Sequence, residues 1–218
     1  GLLKQFENSL IVKDCGIVAD ESEILCKTLQ NTLENVDILI TSGGVSMGEV
    51  DLVKKWMAEN GNIHFGRVLM KPGKPLTFAS FDVNGKTKLM FATPGNPVSS
   101  YVTSILFVLP CLRILMGQEQ AKHPEIQVYL KHSLRLDPQR PEYHRATIWW
   151  DFNKMAFYGQ STGSQASSRL LSMRSANGLF ILPQSSETLK EGDLVPALLI
   201  ADLPSPEFVP PPIMKRNH

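Results

Sequence analysis

The chain has 218 residues, 43% of them hydrophobic, with 22 Lys and Arg against 21 Asp and Glu for a formal net charge of +1. This length predicts one or two ordinary domains with enough apolar material for a core, and it excludes collagen-like, coiled-coil and fully disordered chains. The even charge balance gives no global attraction for nucleic acid or an anionic membrane surface, so an anion site must be local.

The longest purely apolar stretch lies near residues 105–112 and contains Pro110, well short of the roughly 20 residues of a spanning helix, so no membrane span is expected. Cys15, Cys26 and Cys111 are scattered without CxxC spacing, and the first residues lack the basic segment and cleavage site of a secretory signal. Both features predict reduced thiols and a cytoplasmic location.

In chain order, residues 12–18 read as a strand, 21–33 as an amphipathic helix and 36–40 as a short buried strand, a strand–helix–strand unit with a right-handed crossover. A helix is expected over 50–59, with Gly61 as its left-handed cap. Residues 76–83 and 86–92 flank Asn84-Gly85, the signature of a type I′ hairpin. A long helix is predicted over 97–116, with Asn96 as N-cap, Pro97 at its first position, a kink at Pro110 and a stop at Gly117. Beyond residue 123 the pattern changes to short strands, at 126–136, 146–152, 178–182 and 194–200. The last fifteen residues contain five prolines and read as a flexible tail.

Five loops carry possible chemistry. The strand at 36–40 runs into Thr41-Ser42-Gly43-Gly44-Val45-Ser46-Met47-Gly48 and a helix, either a tight turn or a cradle of backbone N–H groups for an anion. Thr93-Pro94-Gly95-Asn96-Pro97-Val98-Ser99 repeats the strand–loop–helix form, and two such loops in one sheet can line one crevice. Lys71-Pro72-Gly73-Lys74-Pro75 fits a type II turn that brings two lysines within about 7 Å, as a solvated turn or an anion clamp. Residues 137–145 place Arg140 and Arg145 around a Pro-flanked loop, and residues 161–169 are rich in hydroxyls, either a flexible polar loop or part of an oxyanion cage. The five histidines show no metal-ligand spacing, and no nucleophile elbow, Walker loop or dinucleotide fingerprint occurs.

The run Asp37 to Asp51, then Met70 to Pro75, Thr93 to Ser99, and Ser161-Thr162-Gly163 with Ser172 to Gly178, resembles the molybdenum insertase family. Its members are bacterial molybdopterin molybdenumtransferases, the plant insertase E-domain and the E-domain of gephyrin. The resemblance implies an α/β fold: a three-layer α/β/α molybdopterin-binding domain over residues 1–122, a small all-β C-terminal domain over 123–203 and a flexible tail over 204–218. It implies the final step of molybdenum cofactor synthesis, in which adenylylated molybdopterin and molybdate give the cofactor and AMP with Mg2+ or another divalent cation assisting. Carried onto this chain, Ser46, Lys74, Pro75, Ser99, Arg140 and Ser167 would hold molybdate. Gly43, Gly44, Ser46, Asp51, Lys71, Pro94, Gly95 and Asn96 would line the pterin pocket. Asp51, Lys71 and Lys74 would be catalytic, with Asp51 also on the cation.

Family members are longer, with further N-terminal domains and a first sheet strand expected to precede Gly1. A fragment with an open sheet edge is therefore expected. The family forms homodimers, and its gephyrin branch offers an alternative, a scaffold that binds receptor cytoplasmic loops. The related molybdopterin adenylyltransferases share the glycine-loop sheet but lack the β-rich part, so residues 140–200 argue against them.

Overall fold

A computed structural model describes residues 2–3, 9–44, 52–205 and 207–208. The first half is a four-stranded mixed sheet between two helical layers. Helix α1 (Ser22–Glu34) forms because Leu25, Leu29 and Leu33 recur four apart and bury one stripe. Strand β1 (Ile38–Ser42) follows, then α2 (Leu52–Asn60), which buries Val53, Trp56 and Met57. Strand β2 (Asn62–Gly66) leads on to the hairpin β3 (Thr77–Val83) and β4 (Lys86–Thr93). Asn84 and Gly85, with φ of 54° and 75°, supply the positive angles of a type I′ turn. The order is β1-β4-β3-β2, with β1 parallel to β4 and the other pairs antiparallel.

One face packs on α1 and α2 through Leu29, Met57, Phe81 and Met90, with Trp56 stacked on Phe81 at 5.2 Å. The other face packs on the segment that begins at Pro97. The helix expected there, with a kink at Pro110, is in three pieces: α3 (Pro97–Thr103), a π-helical turn (Ser104–Val108) and α4 (Leu109–Leu115). The irregularity lies just upstream of Pro110, whose ring crowds the preceding turn and which has no N–H to donate; the wider turn accommodates both. Pro97–Leu115, 19 residues with a mean hydropathy of 1.8, is long and apolar enough by length and composition alone to cross a bilayer, although it is interrupted by Ser, Thr and Tyr and so is not a purely apolar run. Here its stripe of Val98, Val102, Ile105, Val108 and Leu112 is buried against the sheet.

Two further expectations fail. Residues 12–18 form no strand, and Ile11 and Ile17 stand fully exposed. Among the described residues no strand lies beside the outer edge of β1; residues 12–18 do not pair there, and the expected crossover does not form. Gly61 is not a left-handed cap; its φ is not positive, and a methyl there would meet the Phe81 ring at 2.6 Å. Close packing is what requires the glycine.

The second half closes into a barrel. Its strands are β5 (Glu125–Leu130), β7 (Glu142–Asp151), β8 (Ala156–Ser161), β9 (Gly178–Leu182) and β11 (Leu194–Leu199), in the order β11-β5-β8-β7-β9. Strands β6 (Leu134–Arg135) and β10 (Thr188–Leu189) form a separate two-stranded ribbon. Strand β7 starts four residues before the expected run and β8 had no counterpart in the sequence pattern. The interior is filled by Val128, Leu130, Ile148, Phe180 and Val195.

Candidate functional site

The parallel strands β1 and β4 end together, with Ser42 paired to Thr93, so the loops after them emerge side by side. Gly43 N–H donates to Thr93 O at 3.2 Å, and a methyl on Gly95 would lie 3.3 Å from Gly43 Cα. The two glycines let the backbones touch, at the strand ends where open α/β sheets bind ligands. Gly43 and Gly44 hold φ of 90° and 69°. Pro94 is buried, and Gly95 and Asn96 are exposed. Asn96 occupies the N-cap position of α3, but its side chain does not cap the helix as expected. Its Nδ2 donates instead to Ser167 Oγ at 3.2 Å, and Val98 N–H donates to Ser167 O at 3.2 Å. Ser99, 5% exposed, sits in the first turn just beyond. Ser46 and Asp51 lie outside the described residues.

The turn at residues 71–75 rests on the same helix. Gly73 has φ of 111°, and a methyl on it would overlap Thr103 Cγ2. Thr103 Oγ1 in turn donates to Ser99 O at 2.8 Å. The hydrogen-bonded turn in this segment spans 73–76, where Leu76 N–H donates to Gly73 O, and the Lys71–Pro72 peptide is cis. The two lysines do not share an anion-ready gap. Lys71 Nζ lies 3.0 Å from Asp137 Oδ2 and 3.3 Å from Glu142 Oε2, so its charge is matched by carboxylates of the barrel half. Lys74 and Pro75 are half-buried beside it.

The Asp137 loop locks onto this turn. Asp137 Oδ1 accepts from Gln139 N–H at 2.8 Å and Arg140 N–H at 3.1 Å, which folds the chain so that half-buried Arg140 follows directly. These backbone N–H bonds, together with Lys71, hold the Asp137 carboxyl below its usual range. Lys71 N–H donates to Pro141 O and Tyr143 N–H to Lys71 O, stitching the turn to the start of β7. Arg145, expected to join Arg140 at an oxyanion, is instead fully buried. Its Nε donates to Ser172 Oγ and its second terminal nitrogen to Ala166 O, and burial pushes its pKa down to about 10. The hydroxyl loop leads into a single 3-10 turn, Leu170–Met173.

Two buried side chains escaped the sequence reading. Glu142 and His144 are 5% and 8% exposed, at alternate positions of β7. His144 Nδ1 lies 3.2 Å from Glu142 Oε1, close but without hydrogen-bond alignment, and His144 Nε2 lies 2.6 Å from Ser161 Oγ. Burial pushes the Glu142 carboxyl up, and contact with His144 and Lys71 outweighs it to leave the group below its usual range. The one signal in the sequence was Pro141, a residue suited to open a strand, directly before Glu142.

Residues 2–114 match the family model described as "Probable molybdopterin binding domain", and residues 127–200 match "MoeA C-terminal region (domain IV)". The chain belongs to the molybdenum insertase family. It is 48% identical over 206 residues to gephyrin of Dictyostelium discoideum, covering 86% of this chain and 29% of that protein. It is 34% identical over 196 residues to molybdopterin molybdenumtransferase of Nostoc, covering 87% and 43%. The molybdopterin biosynthesis moea protein of Pyrococcus horikosii shares the fold, with a TM-score of 0.68 at 24% identity over 86% of this chain and 43% of that one. The chain thus spans less than half the length of these insertase relatives.

Of the residues the insertase resemblance pointed to, the fold gathers Gly43, Gly95, Asn96, Ser99 and Ser167 around one end of α3. Lys71, Lys74 and Pro75 lie in the turn on that helix, and Arg140 lies in the loop tied to Lys71. The cation was assigned to Asp51 alone, and among the described residues no three His, Cys, Asp or Glu side chains cluster to hold one.

Proposed function

We propose that this chain carries the pterin- and molybdate-binding part of a molybdopterin molybdenumtransferase, with residues 1–122 holding the pterin and residues 123–203 completing the anion site. The observation that carries the reading is the grouping of loops from two differently folded halves along α3: the abutting Gly43 and Gly95 loops and the Ser167 loop meet its start, and the turn at residues 71–75 meets it at Thr103 and is tied through Lys71 to the Asp137 loop. Lys74 and Arg140 supply positive charge there, and Ser99 and Ser167 supply hydroxyls. Such a set replaces the water shell of a tetrahedral dianion without any nucleophile.

In this reading the pyrophosphate of adenylylated molybdopterin lies along the abutting loops at Gly43, Gly44 and Gly95, where backbone can approach an anion closely. Molybdate sits between Lys74, Pro75, Arg140 and Ser167. Holding the two reactants side by side supplies most of the acceleration: as the two dithiolene sulfurs displace two molybdate oxygens, one leaves as water with the thiol protons and the other supplies the oxygen that cleaves the pyrophosphate P–O bond, so that AMP is released. Lys71 acts by anchoring the turn to Asp137 and Glu142. Action takes place in the cytoplasm, and a homodimer is the working form of the longer relatives. Cys111 takes no part; burial pushes its thiol up, away from the reactive thiolate.

Titration with inorganic molybdate tests the site. Arg140→Ala is expected to weaken binding about 30-fold, the equivalent of about 2 kcal/mol for a lost charge-assisted contact. Ser167→Ala is expected to weaken it less. Unchanged affinity in both variants, with circular dichroism intact, would sink the site. Molybdate-dependent release of AMP from adenylylated molybdopterin by the 218-residue chain tests the activity.

A further inference from the structure

One end of the barrel holds a buried polar chain that links two of the site's loops. It runs from Lys71 to Glu142 Oε2 at 3.3 Å, from Glu142 Oε1 to His144 Nδ1 at 3.2 Å, and from His144 Nε2 to Ser161 Oγ at 2.6 Å. Ser161 is the last residue of β8 and opens the hydroxyl loop. Its Oγ accepts from Gly163 N–H at 3.0 Å and from Gln165 Nε2 at 3.4 Å. Gln165 is itself pinned, its Oε1 accepting from Arg145 N–H at 2.8 Å. The loop then reaches Ser167, whose backbone and side chain both bond the start of α3.

We propose that His144 is a positioning residue for the anion site: bridging Glu142 and Ser161, it sets the hydroxyl loop that carries Ser167 relative to the turn at residues 71–75, and it does so differently in its two protonation states. This rests on the reading of that site as the molybdate pocket. The donors and acceptors fix the logic. Ionised Glu142, 3.2 Å from Nδ1, favours a proton on that nitrogen through its charge rather than through an aligned hydrogen bond, which leaves Nε2 of the neutral imidazole to accept from the Ser161 hydroxyl. Protonated His144 donates from Nε2 as well, and the Ser161 proton must then turn to Gly163 O, 3.2 Å away. The polarity of the bond that starts the hydroxyl loop thereby reverses.

The groups facing His144 are few. Glu142 is on its own strand, Ser161 comes from β8 and the Phe180 ring from β9, with ring centroids 6.2 Å apart. His132, beyond β5, interacts with it through charge, and Lys71 reaches it through Glu142. Burial and the His144 charge both hold His132 toward its neutral form, so His132 does not add a second charge there.

Two readouts test the proposal on the 218-residue chain. In the first, without ligand, amide resonances are followed from about pH 5 to about pH 8. Gly163 and Val98, which bond the two ends of the hydroxyl loop, are expected to shift with the midpoint of the His144 imidazole, and to lose that shift in His144→Gln and in Ser161→Ala. Ser161→Thr, which keeps the hydroxyl, is expected to restore it. If neither amide follows His144 in the wild-type chain, the proposal is overturned, whatever molybdate does.

The second readout is inorganic molybdate affinity at about pH 6 and about pH 8. His144→Gln is expected to weaken it about tenfold, as loss of an orienting partner does, and to abolish its difference between the two pH values. An equal loss at both pH values marks a purely structural role and overturns the proposal. Absence of molybdate binding to the wild-type chain would sink the pocket reading and leave the first readout to decide the coupling. Labelling of Ser161 by a fluorophosphonate would also overturn it, since the chain would then be activating a nucleophile.

Discussion

The sheet half and the barrel half bury their residues by opposite means. Between the sheet and its helices the packed clusters run from Leu29 and Met57 on one face to Phe91 and Ile105 on the other, and the polar side chains buried there are the hydroxyls of Thr77, Thr93, Ser99 and Thr103 with a single charge, Lys88, paired to Asp37. The barrel has an equally apolar centre in Ile148, Phe180 and Val195, but the strand through its middle starts with Glu142, His144 and Arg145, all below a tenth exposed. An apolar core gains from every contact and demands little geometry, whereas a buried charge must find a partner or forfeit its hydration. The barrel half therefore contributes orientation at the site, and the sheet half contributes the platform.

The comparison can be broken by truncating each core. Phe180→Ala, in the barrel centre, is expected to cost about 4 kcal/mol, and Met90→Ala, in the sheet core, about 3 kcal/mol, both read by urea denaturation. If the barrel variant instead unfolded separately from the sheet, the two halves would not share one transition. Next in size, Arg145→Lys keeps the charge but cannot span Ser172 and Ala166, and a loss of about 2 kcal/mol is expected from the same measurement.

Acid sharpens the contrast further. Asp137 and Glu142 both sit below their usual ranges, so their stabilisation is complete above the unfolded values and is lost as pH falls through the folded ones. Melting temperature is expected to drop below about pH 4, and the double substitution Asp137→Asn with Glu142→Gln is expected to flatten that drop. Met90→Ala should lower the whole curve without changing its shape. The smallest effect is expected at Ile17, fully exposed, where Ile17→Ser should move stability by less than about 0.5 kcal/mol.

What the sequence made legible follows the same divide. The stripe Leu25, Leu29, Leu33 and the Asn84-Gly85 hairpin were plain because a period and a turn are local properties. The strand expected at 12–18 failed because a strand exists only with a neighbour, and among the described residues none lies alongside. The glycine loops and the Lys71 turn stood out by composition. That Lys71 is consumed by Asp137 and Glu142, 66 residues or more away in sequence, could not be read from any window around it. Asn96 illustrates the same point: its position spoke for a cap, and a partner 71 residues on took its side chain instead.

The contact between Gly43 and Gly95 has a mechanical corollary. With a methyl on residue 95 falling 3.3 Å from Gly43 Cα, the spacing of the two loops is gauged by a missing side chain. An alanine at 95 would act as a shim, prying one loop from the other by a few tenths of an ångström while leaving both strands paired. Because the loops are in register and bonded through Thr93, neither can shift without carrying the other, and a ligand seated on one is felt by both.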